Sequence, residues 1–225
     1  MAKNILAAAL VVLLLAAAAY ASFFIAPTDA KQGLIYRILF LHVSSAWTGL
    51  TAFLIGFVGN LLYVWKRQPR WDWLGVSAVE VGLAFTTVVL VTGPIWAHPV
   101  WGIWWTWDAR LTSTFVMWLL YVSYLLLRTL VEEPDRRALF SALFGIFAFL
   151  DVPLVFGSIR WWRTQHPQPI VMGGADSGMD PVMFRVLMFA WLAMLALMTL
   201  LLRQRYRLEA MRSELETMRH ELEAA

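Results

Sequence analysis

An all-α integral membrane protein with six transmembrane helices is the fold class this sequence predicts, and three observations carry it. Hydrophobic residues make up 60% of the 225 positions and charged residues only 15%, against about 25% charged in soluble domains. Six apolar segments account for almost the whole chain, each close to the roughly 20 residues that cross a bilayer core as a helix. Lys and Arg alternate in density between the connections, which sets an orientation.

The first span covers residues 5–25. Ala19-Tyr20-Ala21 fits a small-x-small signal cleavage pattern, but the apolar run continues through Phe23, Phe24 and Ile25 and is read as a retained helix. The second covers residues 34–65, where Gly49, Gly56 and Gly59 let a neighbouring helix approach closely. His42 stands 23 residues before Trp65, about 35 Å along a helix, which puts it at the outer hydrocarbon boundary.

A basic turn with Lys66, Arg67 and Arg70 leads into the third span, residues 74–92. Residues 93–110 follow as an outer loop rich in tryptophan, and the fourth span covers residues 111–130. The charged turn Glu132 to Arg137 precedes the fifth span, residues 138–156. Residues 157–180 form a second outer loop with several Gly and Pro, and the sixth span covers residues 182–202. Residues 203–225 are a charged tail in which Leu208, Met211, Leu215, Met218 and Leu222 repeat at 3 and 4 residues. That seam suits a helix lying on the inner face or one docking a partner subunit.

With the N-terminus inside, twelve of the 18 Lys and Arg fall on the inner side and six on the outer. Both termini are therefore assigned to the cytoplasm and both large loops to the opposite side. The absence of cysteine excludes disulfides, thiolate metal sites and a covalently self-attached haem. No phosphate-binding glycine motif is present, so nucleotide hydrolysis by this chain is not expected.

The tryptophan-rich loop is the densest feature. Five of the chain's 13 tryptophans, Trp96, Trp101, Trp104, Trp105 and Trp107, lie within twelve residues, followed by Asp108 and Arg110. On a helix, Trp101, Trp104, Trp105 and Asp108 would share one face at offsets 0, 3, 4 and 7, a flat indole surface edged by a carboxylate. An interfacial aromatic belt is the plainer use of such residues.

Three histidines, His42, His98 and His166, map to the outer side, and His166 follows a second aromatic pair, Trp161-Trp162. His42 and His166 come from distant segments that surface beside the tryptophan loop. Two imidazoles flanking an aromatic site suit the axial positions of a haem iron. Arg37, Arg110, Arg160, Arg163 and Arg185 on the same side are candidate propionate partners. His98, between Pro94 and Pro99, is left out of the ligand set. A zinc hydrolase finds no HExxH or comparable cluster. Two acids lie inside spans, where ionisable groups attract functional interest. Glu80 is read as an interhelical hydrogen-bonding group, and Asp151 as a partner of Arg160 or a cap at Pro153.

Residues 101–112, WGIWWTWDARLT, closely resemble the tryptophan-rich "WWD" signature of haem-handling membrane proteins. The chain length and the elements around His42 and His166 make the whole chain resemble the cytochrome c maturation protein C, or haem exporter protein C, family. The resemblance implies a bacterial inner-membrane protein with its functional loops in the periplasm. It implies transiently bound haem b (iron protoporphyrin IX), with His42 and His166 as axial metal ligands. Trp101, Trp104, Trp105, Trp107, Asp108, Arg110, Trp161 and Trp162 are then the expected cofactor contacts. Implied partners are a periplasmic haem chaperone (cytochrome c maturation protein E), an ATP-binding subunit, a second membrane subunit and a small single-span subunit of an ABC-type complex. Membrane lipid is expected as a partner and nucleic acid is not. The chain is then a haem-presenting scaffold and not itself an enzyme.

The competing class is a b-type haem electron carrier or quinol oxidoreductase subunit. That function calls for histidine pairs within the spans, and His42 is the one span histidine, at the outer edge. A haem translocator is a third reading, for which the spans show no evident polar path.

Overall fold

The computed structural model describes residues 2–166 and 179–224. Most of those residues are helical, and six of the helical stretches are long and apolar enough to cross a membrane. Mean hydropathy is +0.66, and large apolar side chains cover the outside of the bundle, including Leu54, Val58, Leu126 and Phe147. The chain is a multi-pass membrane protein.

Helix α1 (Ala2–Tyr20) continues through a π-helical turn, Ala21–Ile25. A short 3₁₀ turn, Leu34–Arg37, leads into α2 (Ile38–Lys66), which ends at Arg67 in the left-handed region. Helix α3 (Pro69–Trp101) starts with proline at its first position, where the missing N–H costs nothing. Helix α4 spans Ala109–Leu130. The fifth membrane segment is two helices, α5 (Pro134–Phe149) and α6 (Asp151–Trp161). Helix α7 (Pro181–Ala224) runs unbroken for 44 residues, about 66 Å.

Helix α2 sits at the centre and packs against α3, α5 and α7. Its glycines face those of α3. A methyl on Gly59 would lie 2.9 Å from the Gly75 backbone nitrogen, and one on Gly82 would lie 2.6 Å from the Phe53 ring. At Gly59 and Gly75 the backbones meet because neither helix has a side chain there. Phe53 in turn stacks on Tyr121 of α4 at 3.7 Å. The interior is less uniformly apolar than the span hydropathy suggests. Ser44, Ser45, Thr48 and Asn60 of α2 are buried, as are Ser77 of α3 and Ser141 of α5. Toward the end of the bundle opposite the tryptophan-rich segment, Arg128 of α4 grips Asp72 of α3 in a two-pronged bond at 2.6 and 2.9 Å.

Several boundaries differ from those expected. The third span does not stop at residue 92: α3 continues through Pro94 and Pro99 to Trp101. Each proline removes one ladder donor, for the carbonyls of Leu90 and Ile95. Packing against α2 and a hydrogen bond from Trp96 Nε1 to Gln32 Oε1 at 2.7 Å hold the helix through them. The helix ends where Gly102, at φ 73°, donates its N–H to His98 O at 2.8 Å, a left-handed cap that glycine adopts without strain. Residues 93–101 are therefore helix and the loop proper is Gly102 to Asp108, so Trp101, Trp104, Trp105 and Asp108 do not form one helical face.

The fifth span extends at both ends beyond 138–156, because Glu133 caps α5 by accepting from the N–H groups of Asp135 and Arg136. Its break at Leu150 precedes Pro153, which denies Phe149 O its donor. Of the expected second loop, 157–161 are helical, 162–166 are irregular and 167–178 lie outside the described residues.

The tail does not begin a new helix at 203 but prolongs α7. Arg205 is paired with Glu80 of α3, Arg137 of α5 bonds Glu216 at 2.7 Å, and Tyr206 meets Trp73 edge-on. Glu80 is thus an interhelical hydrogen-bonding group. The apolar seam does not lie against the body: Leu208, Met211, Leu215, Met218 and Leu222 are all exposed. Asp151 opens α6, buried, and its Oδ2 has no hydrogen-bond partner among the described residues.

Candidate functional site

His42 lies one turn into α2 and is buried, 9% exposed. Its Nδ1 is 2.8 Å from Oγ1 of Thr92 on α3. Thr92 sits in the α3 segment just before Pro94, and its hydroxyl hydrogen is directed at Val88 O, 2.7 Å away. A hydroxyl has one proton, so towards His42 it can only accept. The imidazole therefore carries its proton on Nδ1 and keeps the lone pair on Nε2, the tautomer a metal-binding histidine needs. Trp96 packs edge-on against the ring at 5.8 Å, and Gly93 lets the α3 backbone come against its Cε1 edge.

His166 lies near enough for its charge to act on His42. It follows α6 by five residues, is half-buried, and its backbone N–H donates to Thr164 Oγ1 at 3.1 Å. His166 and Arg110 are the ionisable groups whose charges act on His42. Residues 42, 92, 110 and 166 share this corner because α2 and α4 begin there and α3 and α6 run out there.

The predicted tryptophan surface is split among separate environments. Trp96 packs on His42. Trp104 stacks on His98 at 4.2 Å and 19°, with both rings exposed. Trp105 and Trp107 meet each other and Phe115 at 5.7 to 6.3 Å, and with Trp118, Thr87, Leu90 and Val91 they line an apolar groove of about 410 Å³ between α3 and α4. Trp101 is exposed at the helix end. Trp161 and Trp162 are exposed at the end of α6, 5.8 Å apart and nearly perpendicular. Indoles thus ring the corner without forming one plane.

The two charged residues of the signature are engaged within the protein. Asp108 caps α4 through Oδ1, which accepts from Leu111 N at 3.0 Å. Its Oδ2 accepts from Thr106 Oγ1 and from Gln165 N, both at 3.0 Å. Burial alone would raise the Asp108 carboxyl; the bonds from Leu111, Gln165, Thr164 and Thr106 outweigh it and hold the group below the ordinary aspartate value. Arg110 donates to Val155 O of α6 and lies 6.0 Å over the Phe156 ring. Among the other outer-side arginines, Arg37 donates to Ser22 O and Arg185 to Pro181 O, while Arg160 and Arg163 are exposed.

Thr92 is the site residue that sequence reading passed over. A single threonine near the end of an apolar span gives no pattern, and its importance comes from facing His42 across two helices. The residue types at this corner suit a haem: a buried histidine, a second histidine nearby, exposed indoles and guanidinium groups. Among the described residues, no three His, Asp or Glu side chains converge as a metal cage.

Comparison with known proteins places this architecture. The model of the family described as heme exporter protein C matches residues 1–221. Heme exporter protein C of Bradyrhizobium diazoefficiens is 33% identical over 192 residues, 81% of this chain and 73% of the relative. The Escherichia coli protein of the same name is 35% identical over 187 residues, 80% and 73% of the two chains. A putative cytochrome c biosynthesis ccmC-like mitochondrial protein of Marchantia polymorpha is 31% identical over 172 residues, 76% and 73%. With six apolar helices, the signature loop between the third and fourth, and a family match over essentially its whole length, the chain belongs to the heme exporter protein C family.

Proposed function

We propose that this chain binds haem at the tryptophan-rich end of the bundle and hands it on during cytochrome c maturation. His42 and His166 are the axial ligands, and the signature loop and Trp161-Trp162 supply the apolar surround. The observation that supports this most directly is at His42, whose Nδ1 lies 2.8 Å from a Thr92 hydroxyl that itself donates to Val88 O, an arrangement that leaves Nε2 for a metal, with His166 as its electrostatic neighbour. Haem is cargo here, so the site must hold it in one orientation and still release it. Apolar contact contributes roughly 25 cal/mol per Å² of area removed from water. The two imidazoles orient the iron, and Arg160 and Arg163, exposed on the His166 side, suit the propionates.

On this reading the tryptophan-rich end faces the periplasm, both termini face the cytoplasm, and the membrane is the bacterial inner membrane. The distribution of Lys and Arg supports that orientation. The receiver is a periplasmic haem chaperone, and the chain works beside an ATP-binding subunit, a second membrane subunit and a small single-span subunit. The chain itself catalyses no reaction.

The test is to purify the full chain with and without the chaperone, and to compare wild type with His42→Ala and His166→Ala by haem absorbance and covalent chaperone loading. Both variants should lose most bound haem and loading. Unchanged haem content and loading in both would sink the ligand assignment.

A further inference from the structure

The geometry assigns Asp108 a positioning role: we propose that it latches the signature loop to the loop carrying His166, and so sets that histidine opposite His42. This rests on the haem reading above and adds a residue that acts through another.

The argument begins with the number of donors. A carboxylate offers about four lone-pair sites on two oxygens. Asp108 fills them from three segments: Leu111 N in the first turn of α4, Thr106 Oγ1 within its own loop, and Gln165 N with the Thr164 hydroxyl in the loop after α6. The last two donors belong to residues immediately before His166. Thr164 also accepts from the His166 N–H, so the chain from 164 to 166 is turned back on itself next to Asp108. Residues 108 and 165 are 57 apart in sequence, and this is a direct bond between the two loops.

The second tie between these elements lies deeper, where Arg110 donates to Val155 O. It fixes α4 to α6, but α6 ends at Trp161 and the five residues that follow are outside helical register. The helix pair alone therefore does not reach the irregular segment that carries His166. Asp108 supplies the constraint at that segment. An aspartate directed toward cargo would keep its oxygens outward; here each oxygen points at a backbone N–H of the protein. The negative charge strengthens these bonds relative to neutral ones.

Two substitutions separate the latch from the helix cap. Asparagine caps helices as well as aspartate does, so Asp108→Asn keeps Oδ1 on Leu111 N. Its NH₂ then faces Gln165 N and Thr106 Oγ1, which it cannot accept from. Asp108→Ala loses cap and latch together. The first readout is limited trypsin cleavage after the exposed Arg163 in the haem-free, full-length protein in detergent. Cleavage should accelerate about tenfold in Asp108→Asn, the size expected for a lost charge-assisted hydrogen bond, with the rest of the digest unchanged.

The second readout is the haemin absorbance spectrum. Asp108→Asn should lose low-spin, six-coordinate character and recover it on adding imidazole, as His166→Gly does. A wild-type haem spectrum in Asp108→Asn, where His166→Gly alters it, would overturn the positioning role. If His166→Gly also leaves the spectrum unchanged, the axial reading fails, and the tryptic comparison decides the latch alone. A wild-type cleavage rate in Asp108→Asn overturns it.

Discussion

His42 Nδ1 lies 2.8 Å from Thr92 Oγ1, and the proton of that hydroxyl is spent on Val88 O at 2.7 Å. Two residues 50 apart in sequence thereby decide which ring nitrogen of His42 carries hydrogen. Thr92→Val keeps the shape of the side chain and removes the acceptor. Haemin affinity, measured by absorbance titration of the purified chain, should fall about 10- to 100-fold, the usual effect of losing a partner behind a metal-binding histidine. Thr92→Ser should restore most of it. Wild-type affinity in the valine variant would show that Thr92 does not orient the ligand.

The Asp72–Arg128 pair joins α3 to α4 with both side chains nearly buried, 10% and 11% exposed. Removing one partner strands the other, so Asp72→Asn should destabilise the bundle by about 3–5 kcal/mol. Replacing both with apolar residues of similar size should recover much of that loss. Thermal unfolding in detergent across the double-mutant cycle reports the difference, and equal losses in single and double variants would contradict it.

Gly59 has no room for a side chain, because a methyl would meet Gly75 N and Cα at 2.9 and 3.1 Å and Trp71 O at 3.2 Å. Gly59→Ala must push α2 and α3 apart along their longest contact. A cost of about 1–3 kcal/mol is expected, read as a lower midpoint in the same unfolding assay. Gly33, with nothing near it, is the contrasting position, where the strain comes from φ 61° alone.

Asp108 also predicts a pH response of its loop. Its carboxyl titrates below the ordinary aspartate value because of the bonds it accepts. A depressed folded-state value stabilises the structure fully above the unfolded value of about 3.9 and loses that contribution as pH falls through the folded one. Cleavage after Arg163 in haem-free protein, followed with a protease tolerant of acid, should stay flat from neutral pH down to about 4. It should rise only below that. An increase centred near pH 6 would point to another group.

Truncation after Arg207 removes the exposed seam, the Arg137–Glu216 bridge and the Arg205–Glu209 bridge, while Arg205 keeps Glu80. Ion pairs on partly exposed side chains contribute about 0–1 kcal/mol. The truncated chain should therefore bind haemin as wild type and unfold within about 1 kcal/mol of it. A collapse in stability would mean that the tail is part of the bundle's fold.

The six spans and the signature loop were legible in the sequence because hydropathy over about 20 residues and a run of tryptophans are local properties. Helix ends were less so. Nothing in Pro94 or Pro99 says that α3 will carry through them; packing on α2 and the Trp96–Gln32 bond decide that. The seam of the tail was visible as a repeat, yet which side of α7 meets the body was set by Arg205 reaching Glu80 and Arg137 reaching Glu216. The residue types of the candidate site were present in the linear pattern, His42, His166 and the indoles among them. Their roles were not. Asp108 reads in sequence as the edge of an aromatic surface, and in the fold one oxygen caps α4 while the other accepts from Gln165 N, 57 residues away. Thr92 reads as one polar residue near the end of a span, and in the fold it sets the proton of His42. Composition determines that a chain must cross a membrane, because transfer free energy sums over neighbours in sequence. Hydrogen bonds act over 3 Å between side chains that folding alone brings together, so only the tertiary structure assigns them.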